Sequence, residues 1–351
     1  MIQSLSLPLH AGIVGTGIYI PETYMTASQI SAATNGQWSE EAIVNKLGII
    51  KKPIAGPGDG TQEMGALAAI DCLKNTGVEA AEIDLILSIG EEWKEFPLTT
   101  TGIYIQERIG AVNAWAIDIQ QRCGTSVAAL KIAKDMMLAD PDINTVLIAG
   151  GYRNGDFLDY TDNSVSFMYN LAAGAGAILL KKNYGRNELL GTHIITDGTM
   201  SRDVGVEFGG TEKPISDENL SQAYQSLRVF DEKHMKERLN EVSMKNWMTC
   251  IETAFAKSGV DLKELDFLAA LHFKRSLYFG LVNGLGLNSE KTIYLENYGH
   301  LGQIDQILSL HLAQKTGKLA GGSIISMIAA GIGYAWGANV IRWGKVMVDT
   351  K

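Results

Sequence analysis

Cysteine and proline are scarce in this chain. Three cysteines, Cys72, Cys123 and Cys250, stand far apart among 351 residues. An odd, scattered set makes a poor disulfide framework and has no metal-ligand spacing, so no metal site is expected and the reducing cytoplasm fits best. Only 7 prolines accompany 38 glycines, which reads as a glycine-punctuated globular protein and excludes a disordered one. The first Lys or Arg is Lys46, so neither a basic leader nor a twin arginine is read and no export is expected. An excess of positive charge is also missing. The formal net charge of −9 argues against general nucleic-acid binding, and an acidic partner would need a local basic patch. Long apolar runs are limited to one, SIISMIAAGIGYAWGANVI from Ser323 to Ile341, which approaches the length of a membrane helix. Its Gly331, Gly333 and Gly337, with Ser323, Ser326 and Asn339, favour two short buried strands joined by a glycine turn. No membrane association is expected.

What the chain does have is apolar residues in short blocks. Hydrophobic types make up 46%, ample for a sizeable core, and the length suits about two domains or one large one. Strand-like runs at IVGTGIYIP, IDLILSIG, AWAIDIQQ, TVLIAGGY and GAGAILLKK alternate with helical patterns that close at Gly48, Gly77 and Gly110. The second half repeats the plan. LLGTHIITDG, FLAALHF, KTIYLENYG, SIISMIAAG and WGANVIRWG read as strands, and helices close at Gly259 and Gly317. A polar, irregular connection is expected between Gly210 and Met235. Strand–helix alternation with near-continuous apolar strands predicts an α/β sheet covered on both faces. Element order suggests one layout used twice, in residues 1–182 and 183–351, without a residue-level repeat.

Cys123 lies in DIQQRCGTSVAALKIAKDMM, between a strand pattern and a helix pattern. Helix N-termini carry unpaired N–H groups and partial positive charge, which favour a thiolate. Gly124 and Thr125 are small and let a carbonyl approach. This is the layout of an activated nucleophile. The alternative is a small core hydrophobe, the reading preferred for Cys72 and Cys250 on their helices. Two histidines end strand-like segments, His272 in FLAALHF and His300 in YLENYGH, where α/β folds gather site residues. The glycine turn AAGIGYAWG, Ala329 to Gly337, can offer a backbone N–H to an oxyanion.

Taken in order, these segments resemble the β-ketoacyl-acyl-carrier-protein synthase III family of the thiolase fold, over nearly the whole chain. GIVGTGIYIPE, IQERIGA, AWAIDIQQRCGTSVAALKIA, FMYNLAAGAGAILL, TDGT with FGGTEKP, and AAGIGYAWGANVIRWG carry the likeness. The resemblance implies a thiolase-like fold of two similar halves in α-β-α-β-α layers, with the nucleophile in the first half and the catalytic histidines in the second. It implies acyl transfer through a Cys123 thioester, then decarboxylative Claisen condensation with a malonyl thioester. His272 matches the family's first catalytic histidine, and the N–H groups of Cys123 and Ile332 match its oxyanion hole. Implied partners are acyl-CoA, an acyl carrier protein and a second copy in a homodimer, with no cofactor beyond the substrates. The role is expected in fatty acid biosynthesis or in a specialised, secondary-metabolic setting.

The chain departs from the family in two places. Phe273, Lys274 and Arg275 replace the usual Gln-Ala-Asn, and His300 stands where asparagine is usual, followed by LGQID with Asp305. A neutral imidazole N–H at His300 is expected to donate to the thioester oxygen, as the amide does. Alternatives are an acyltransferase or thioesterase without carbon–carbon bond formation, condensation like that of hydroxymethylglutaryl-CoA synthases, and, last, a non-catalytic partner subunit. Glu91 and Glu92 in GEEWKEFP are read as a solvated acidic loop. Lys274 and Arg275 are read as a carrier or phosphate contact or, equally, a solvated basic turn; Lys51 and Lys52 carry the same two readings.

Overall fold

Apolar runs buried on both faces must still pair their backbone N–H and C=O groups. In the computed structural model, which describes residues 9–346, nine strands, most of them buried, pair in one mixed sheet. They are β1 (Ala11–Tyr19), β2 (Leu85–Ser88), β3 (Trp115–Asp118), β4 (Thr145–Tyr152), β5 (Gly174–Lys182), β6 (Arg186–Thr196), β7 (Leu265–Ala270), β8 (Ile324–Gly331) and β9 (Ala335–Lys345). Their order is β7-β8-β9-β6-β1-β5-β4-β2-β3. The pairs β2–β3, β2–β4 and β7–β8 are parallel and the others antiparallel. The five earlier strands lie on one side and the four later ones on the other. They join where Gly12 faces Glu188.

Six helices complete the layers: α1 (Thr61–Thr76), α2 (Thr101–Ile109), α3 (Thr125–Ala139), α4 (Glu232–Ser258), α5 (Arg275–Gly284) and α6 (Asp305–Lys315). α1 packs on β1, β4 and β5, with α2 beside it. α4 covers β6 and β9. Between the two sets of strands lie α3 and α6, each touching strands of both. This is the α-β-α-β-α layering expected from the sequence. The Ser126 hydroxyl of α3 donates to Gln306 Oε1 of α6 at 3.0 Å, and Gln306 Nε2 donates to the Ile328 carbonyl. The two central helices are therefore fixed by polar as well as apolar contacts.

Four predicted helix ends, at Gly48, Gly77, Gly110 and Gly259, adopt the left-handed conformation that terminates helices. The Ser323–Ile341 run forms the β8–β9 hairpin, and among the described residues no helix is long and apolar enough to cross a membrane. The expectation about the N-terminus falls partly on residues 1–8, outside the described residues.

Two expectations fail. KTIYLENYG is not a strand. It makes one bridge, Thr292 to Leu268, and side chains take the places of ladder bonds. The Thr292 hydroxyl donates to the Leu268 carbonyl at 2.8 Å, and the Tyr278 hydroxyl donates to the Ile293 carbonyl at 3.1 Å. The polar connection is partly ordered. Leu227–Val229 pairs with Val204–Val206, and α4 begins at Glu232, where the Asp231 side chain accepts from the His234 N–H. The first turns of α4 set Met235, Leu239 and Val242 on one buried side and charged residues on the others.

β1 and α1 meet backbone to backbone. A Cβ on Gly17 would lie 2.2 Å from both the Ala68 carbonyl oxygen and the Cys72 nitrogen. Gly17→Ala is expected to lower stability by about 1–3 kcal/mol through overpacking; thermal unfolding checks this, and an unchanged midpoint contradicts it.

Candidate active site

After β3 the chain turns sharply into α3. Arg122 has φ +51°, a left-handed conformation that non-glycine residues adopt at a cost. Arg122–Gly124 forms one 3-10 turn that leads directly into α3. The Thr125 hydroxyl ties this turn together, donating to the Arg122 carbonyl at 2.6 Å and accepting from the Gln121 N–H at 2.8 Å. Cys123 therefore sits at the N-terminal end of a fifteen-residue helix, 7% exposed. The β8–β9 hairpin presses against the same turn. A Cβ on Gly331 would lie 2.7 Å from the Gln121 carbonyl oxygen and 3.2 Å from the Cys123 nitrogen, so only glycine permits this approach. Ile332 follows it. A cleft of about 320 Å³ opens here, lined among others by Gln121, Arg122, Asp197, Ile332 and Tyr334.

The second half supplies a matching corner. Gly302–Ile304 forms a 3-10 turn that leads into α6, with Asp305 as its first residue. His300 lies just before that turn. Its Nε2 is 3.1 Å from Cys123 Sγ, and its Nδ1 is 2.5 Å from Asp305 Oδ2. Asp305 has no exposed surface. Its Oδ2 also accepts the His272 backbone N–H at 2.6 Å, and its Oδ1 accepts the Leu301 N–H at 2.7 Å. Burial works against a charged His300 ring, but the Asp305 carboxylate and the Cys123 sulfur outweigh it and raise its pKa well above the ordinary value. His300 is thus biased toward the imidazolium. The neutral donor expected from sequence does not fit, because Asp305 stands behind the ring.

His272 follows β7 and is equally buried. Its Nδ1 faces Asn170 Nδ2 at 3.1 Å, its Nε2 faces the Gly48 carbonyl oxygen at 3.2 Å, and its ring stacks on Tyr294 at 4.9 Å. Burial, opposed in part by Asp305, lowers its pKa to about 4. Among the described residues no hydrogen bond joins His272 to Cys123 or His300. The structure therefore brings His300 to the cysteine and sets His272 beside them as a neutral ring with both nitrogens engaged.

The remaining candidates divide. Lys274 is exposed, whereas Arg275 pairs with Glu296 and stacks over Tyr294 at 4.9 Å. Lys51 lies over the Tyr24 ring at 4.2 Å. Lys52 corrects its expectation, since it is fully buried and not on the surface. Its Nζ donates to the Tyr169 carbonyl at 2.7 Å and the Leu171 carbonyl at 2.5 Å, and burial lowers its pKa to about 7. Glu91 also corrects its expectation. It is 4% exposed, whereas Glu92 is solvated, because the Arg122 guanidinium bridges both carboxylates at 3.1 and 3.2 Å and holds Glu91 inward. Cys72 and Cys250 are buried helix residues whose thiols burial pushes up to about 12 and about 11, consistent with packing roles. Asp305 and Asn170 were not read as site residues. An acidic residue opening a helix is common for electrostatic reasons alone, and Asn170 carries no local signal.

Cys123, His300 and Asp305 are aligned so that the sulfur can yield a proton to the imidazole while the carboxylate orients the ring. His300 has a folded pKa above its unfolded value. Its protonation therefore stabilises the fold fully below about pH 6.5, and that contribution fades as pH rises through the raised folded value. Asp305→Asn is expected to narrow its stability deficit against wild type as pH rises from 5.5 to about 9, and to slow Cys123 alkylation by about tenfold at neutral pH. Denaturant unfolding and iodoacetamide labelling check both; a deficit independent of pH with unchanged labelling contradicts the assignment.

Known proteins resemble this chain over nearly its whole length. Residues 117–198 match the model of 3-oxoacyl-[acyl-carrier-protein] synthase III, and residues 255–343 match the model of its C-terminal part. The chain is 26% identical over 337 residues to a β-ketoacyl-[acyl-carrier-protein] synthase III of Syntrophomonas wolfei, covering 95% of this chain and 97% of that protein. It is 28% identical over 344 residues to the protein of the same name from Xanthomonas oryzae, covering 97% and 100%. The crystal structure of 3-oxoacyl-[acyl-carrier-protein] synthase III from Aquifex aeolicus superposes with a TM-score of 0.80 at 24% identity, over 95% of this chain and all of that one, and so shares the thiolase-like fold. The chain belongs to the 3-oxoacyl-[acyl-carrier-protein] synthase III family of acyl-transferring condensing enzymes.

Proposed function

We propose that the protein carries an acyl group as a thioester on Cys123 and passes it to a second substrate, as a condensing enzyme of the synthase III type. The observation that carries this reading is the 3.1 Å contact between His300 Nε2 and Cys123 Sγ, with Asp305 behind the ring. Cys123 Sγ attacks the carbonyl carbon of an acyl-CoA. The carbon–sulfur bond to CoA breaks, and the CoA sulfur leaves with the proton held on His300. The N–H groups of Cys123 and Ile332 are the proposed donors to the tetrahedral oxyanion. In the second half-reaction a malonyl thioester, delivered by an acyl carrier protein, loses CO2, and its carbanion attacks the Cys123 thioester and releases the sulfur. No resident cofactor is invoked. Fatty acid biosynthesis in the cytoplasm is the setting this chemistry fits.

One feature favours a second reading, acyl transfer to an alcohol, amine or water. A malonyl carbanion arises by loss of CO2 and needs hydrogen-bond donors at its carbonyl. A hydroxyl or amine nucleophile must instead lose a proton. The pair His300–Asp305 is built for proton transfer. We also take the protein to act as a homodimer. β3 is the edge strand of the sheet, and Trp115 and Ile117 on it are exposed, as are Phe96 and Leu98 nearby.

Incubation with a panel of acyl-CoA donors is expected to add one acyl mass to the wild type and none to Cys123→Ala, with turnover of that variant reduced at least about 10³-fold. Absence of the adduct from the wild type, or its presence on the variant, removes the reading. Labelled malonyl thioester then decides the acceptor: CO2 release coupled to a lengthened product supports condensation, and acyl transfer without it supports the second reading. Sedimentation at micromolar concentration is expected to give twice the mass of the 38.0 kDa chain; a monomer rejects the dimer.

A further inference from the structure

Two buried imidazoles lie within one site, and their partners are of opposite kind. His300 faces a carboxylate, an acceptor, and so is drawn to hold two protons. His272 faces one acceptor, the Gly48 carbonyl at Nε2, and one donor, the Asn170 amide at Nδ1. A ring between an acceptor and a donor is satisfied only as the neutral Nε2–H tautomer. Protonation of Nδ1 would set N–H against N–H.

Asn170 is fixed through its backbone surroundings. It is 4% exposed, its Nδ2 faces His272 Nδ1, and its Oδ1 has no partner among the described residues. The carbonyls on either side of it, those of Tyr169 and Leu171, both accept from the buried Lys52 ammonium. Its own carbonyl accepts the His300 N–H at 2.8 Å, and the Ala172 N–H donates to the His300 carbonyl at 2.9 Å. One residue therefore touches both histidines: it bonds the His300 backbone through its own carbonyl and the His272 ring through its side chain.

We propose that Asn170 is a positioning residue that fixes His272 as the Nε2–H tautomer and so keeps the two imidazoles in different roles. His300, paired with Asp305, moves the proton of the cysteine. His272 stays out of that exchange and serves as a fixed, uncharged dipole for the step that follows acylation. Burial lowers the pKa of His272, with smaller contributions from His300 and Arg275 in the same direction. The other groups facing His272 are the Asp305 carboxylate, the His300 ring, the Arg275 guanidinium and the Tyr294 ring. Asp305 is the one that pulls toward the charged ring, and its Oδ2 is occupied by His300 and by the His272 backbone.

Asn170→Asp exchanges the donor for an acceptor at almost unchanged volume. In ¹⁵N spectra of the histidine side chains at pH 6, the wild type is expected to show His272 with one protonated nitrogen, and Asn170→Asp with two. Asn170→Leu removes the donor without adding charge; the Gly48 carbonyl still selects Nε2–H, and the share of doubly protonated His272 is expected to rise above that of wild type. It decides the matter if Asn170→Asp does not fold. In kinetics, which rest on the proposed acyl-enzyme, both variants are expected to acylate Cys123 within about threefold of wild type and to slow transfer from the acyl-enzyme by at least about tenfold. A His272 spectrum identical to wild type in a folded variant overturns the proposal. So does an equal loss in both half-reactions, which a purely structural role would produce. If no acyl group forms on Cys123 at all, the functional reading fails, and the spectra still decide the tautomer.

Discussion

The arrangement depends on one enclosed carboxylate. Asp305 has no contact with solvent, and a buried charge persists only when its lone pairs are matched. Three donors do this: the His300 ring, the His272 backbone N–H and the Leu301 backbone N–H. His272 follows β7, and His300 and Leu301 are adjacent in the loop before α6. Satisfying one charge therefore fixes the end of β7 and that loop against the start of α6. The same charge holds the imidazole that touches Cys123. Fold and reactivity share a single electrostatic requirement.

Two helix N-termini meet at this point, each bringing its own acidic group. The Cys123 sulfur lies at the start of α3 and the Asp305 carboxylate at the start of α6. Each helix is entered through a one-turn 3-10 segment, and these two segments touch. Helix dipoles favour negative charge at both places, and His300 lies between them as the positive partner. α3 and α6 form the middle layer, enclosed by strands on either side, which excludes water and makes each of these interactions count for more.

The departures from the family pattern are coupled. Replacing the usual asparagine with histidine would leave a titratable ring without direction. Asp305 five residues later supplies it. Asn170 then distinguishes the second imidazole from the first, and Lys52 secures the loop that carries Asn170. Environments that push two like groups in opposite directions are how a site separates acid–base work from electrostatic support. His272 and His300 have burial in common and differ in what their nitrogens meet.

Much of this protein is written locally. The strands at Thr145–Tyr152 and Gly174–Lys182, the glycine-closed helices and the β8–β9 hairpin follow from apolar blocks and turn residues a few positions apart. So does the corner that presents Cys123, since a strand, a small-residue turn and a helix are adjacent in the chain. KTIYLENYG shows the limit of such reasoning: its composition is that of a strand, yet side chains, its own Thr292 and Tyr278 from α5, make bonds in place of a ladder. Lys52 and Glu91 look like surface charges by type, and only packing encloses them. Local sequence thus determined most of the strands and helices and the corner that holds Cys123, and tertiary structure decided the partners. Cys123 and His300 are 177 positions apart, and Asn170 and His272 are 102 apart. Which nitrogen meets a donor and which an acceptor depends on contacts between segments that no local pattern encodes.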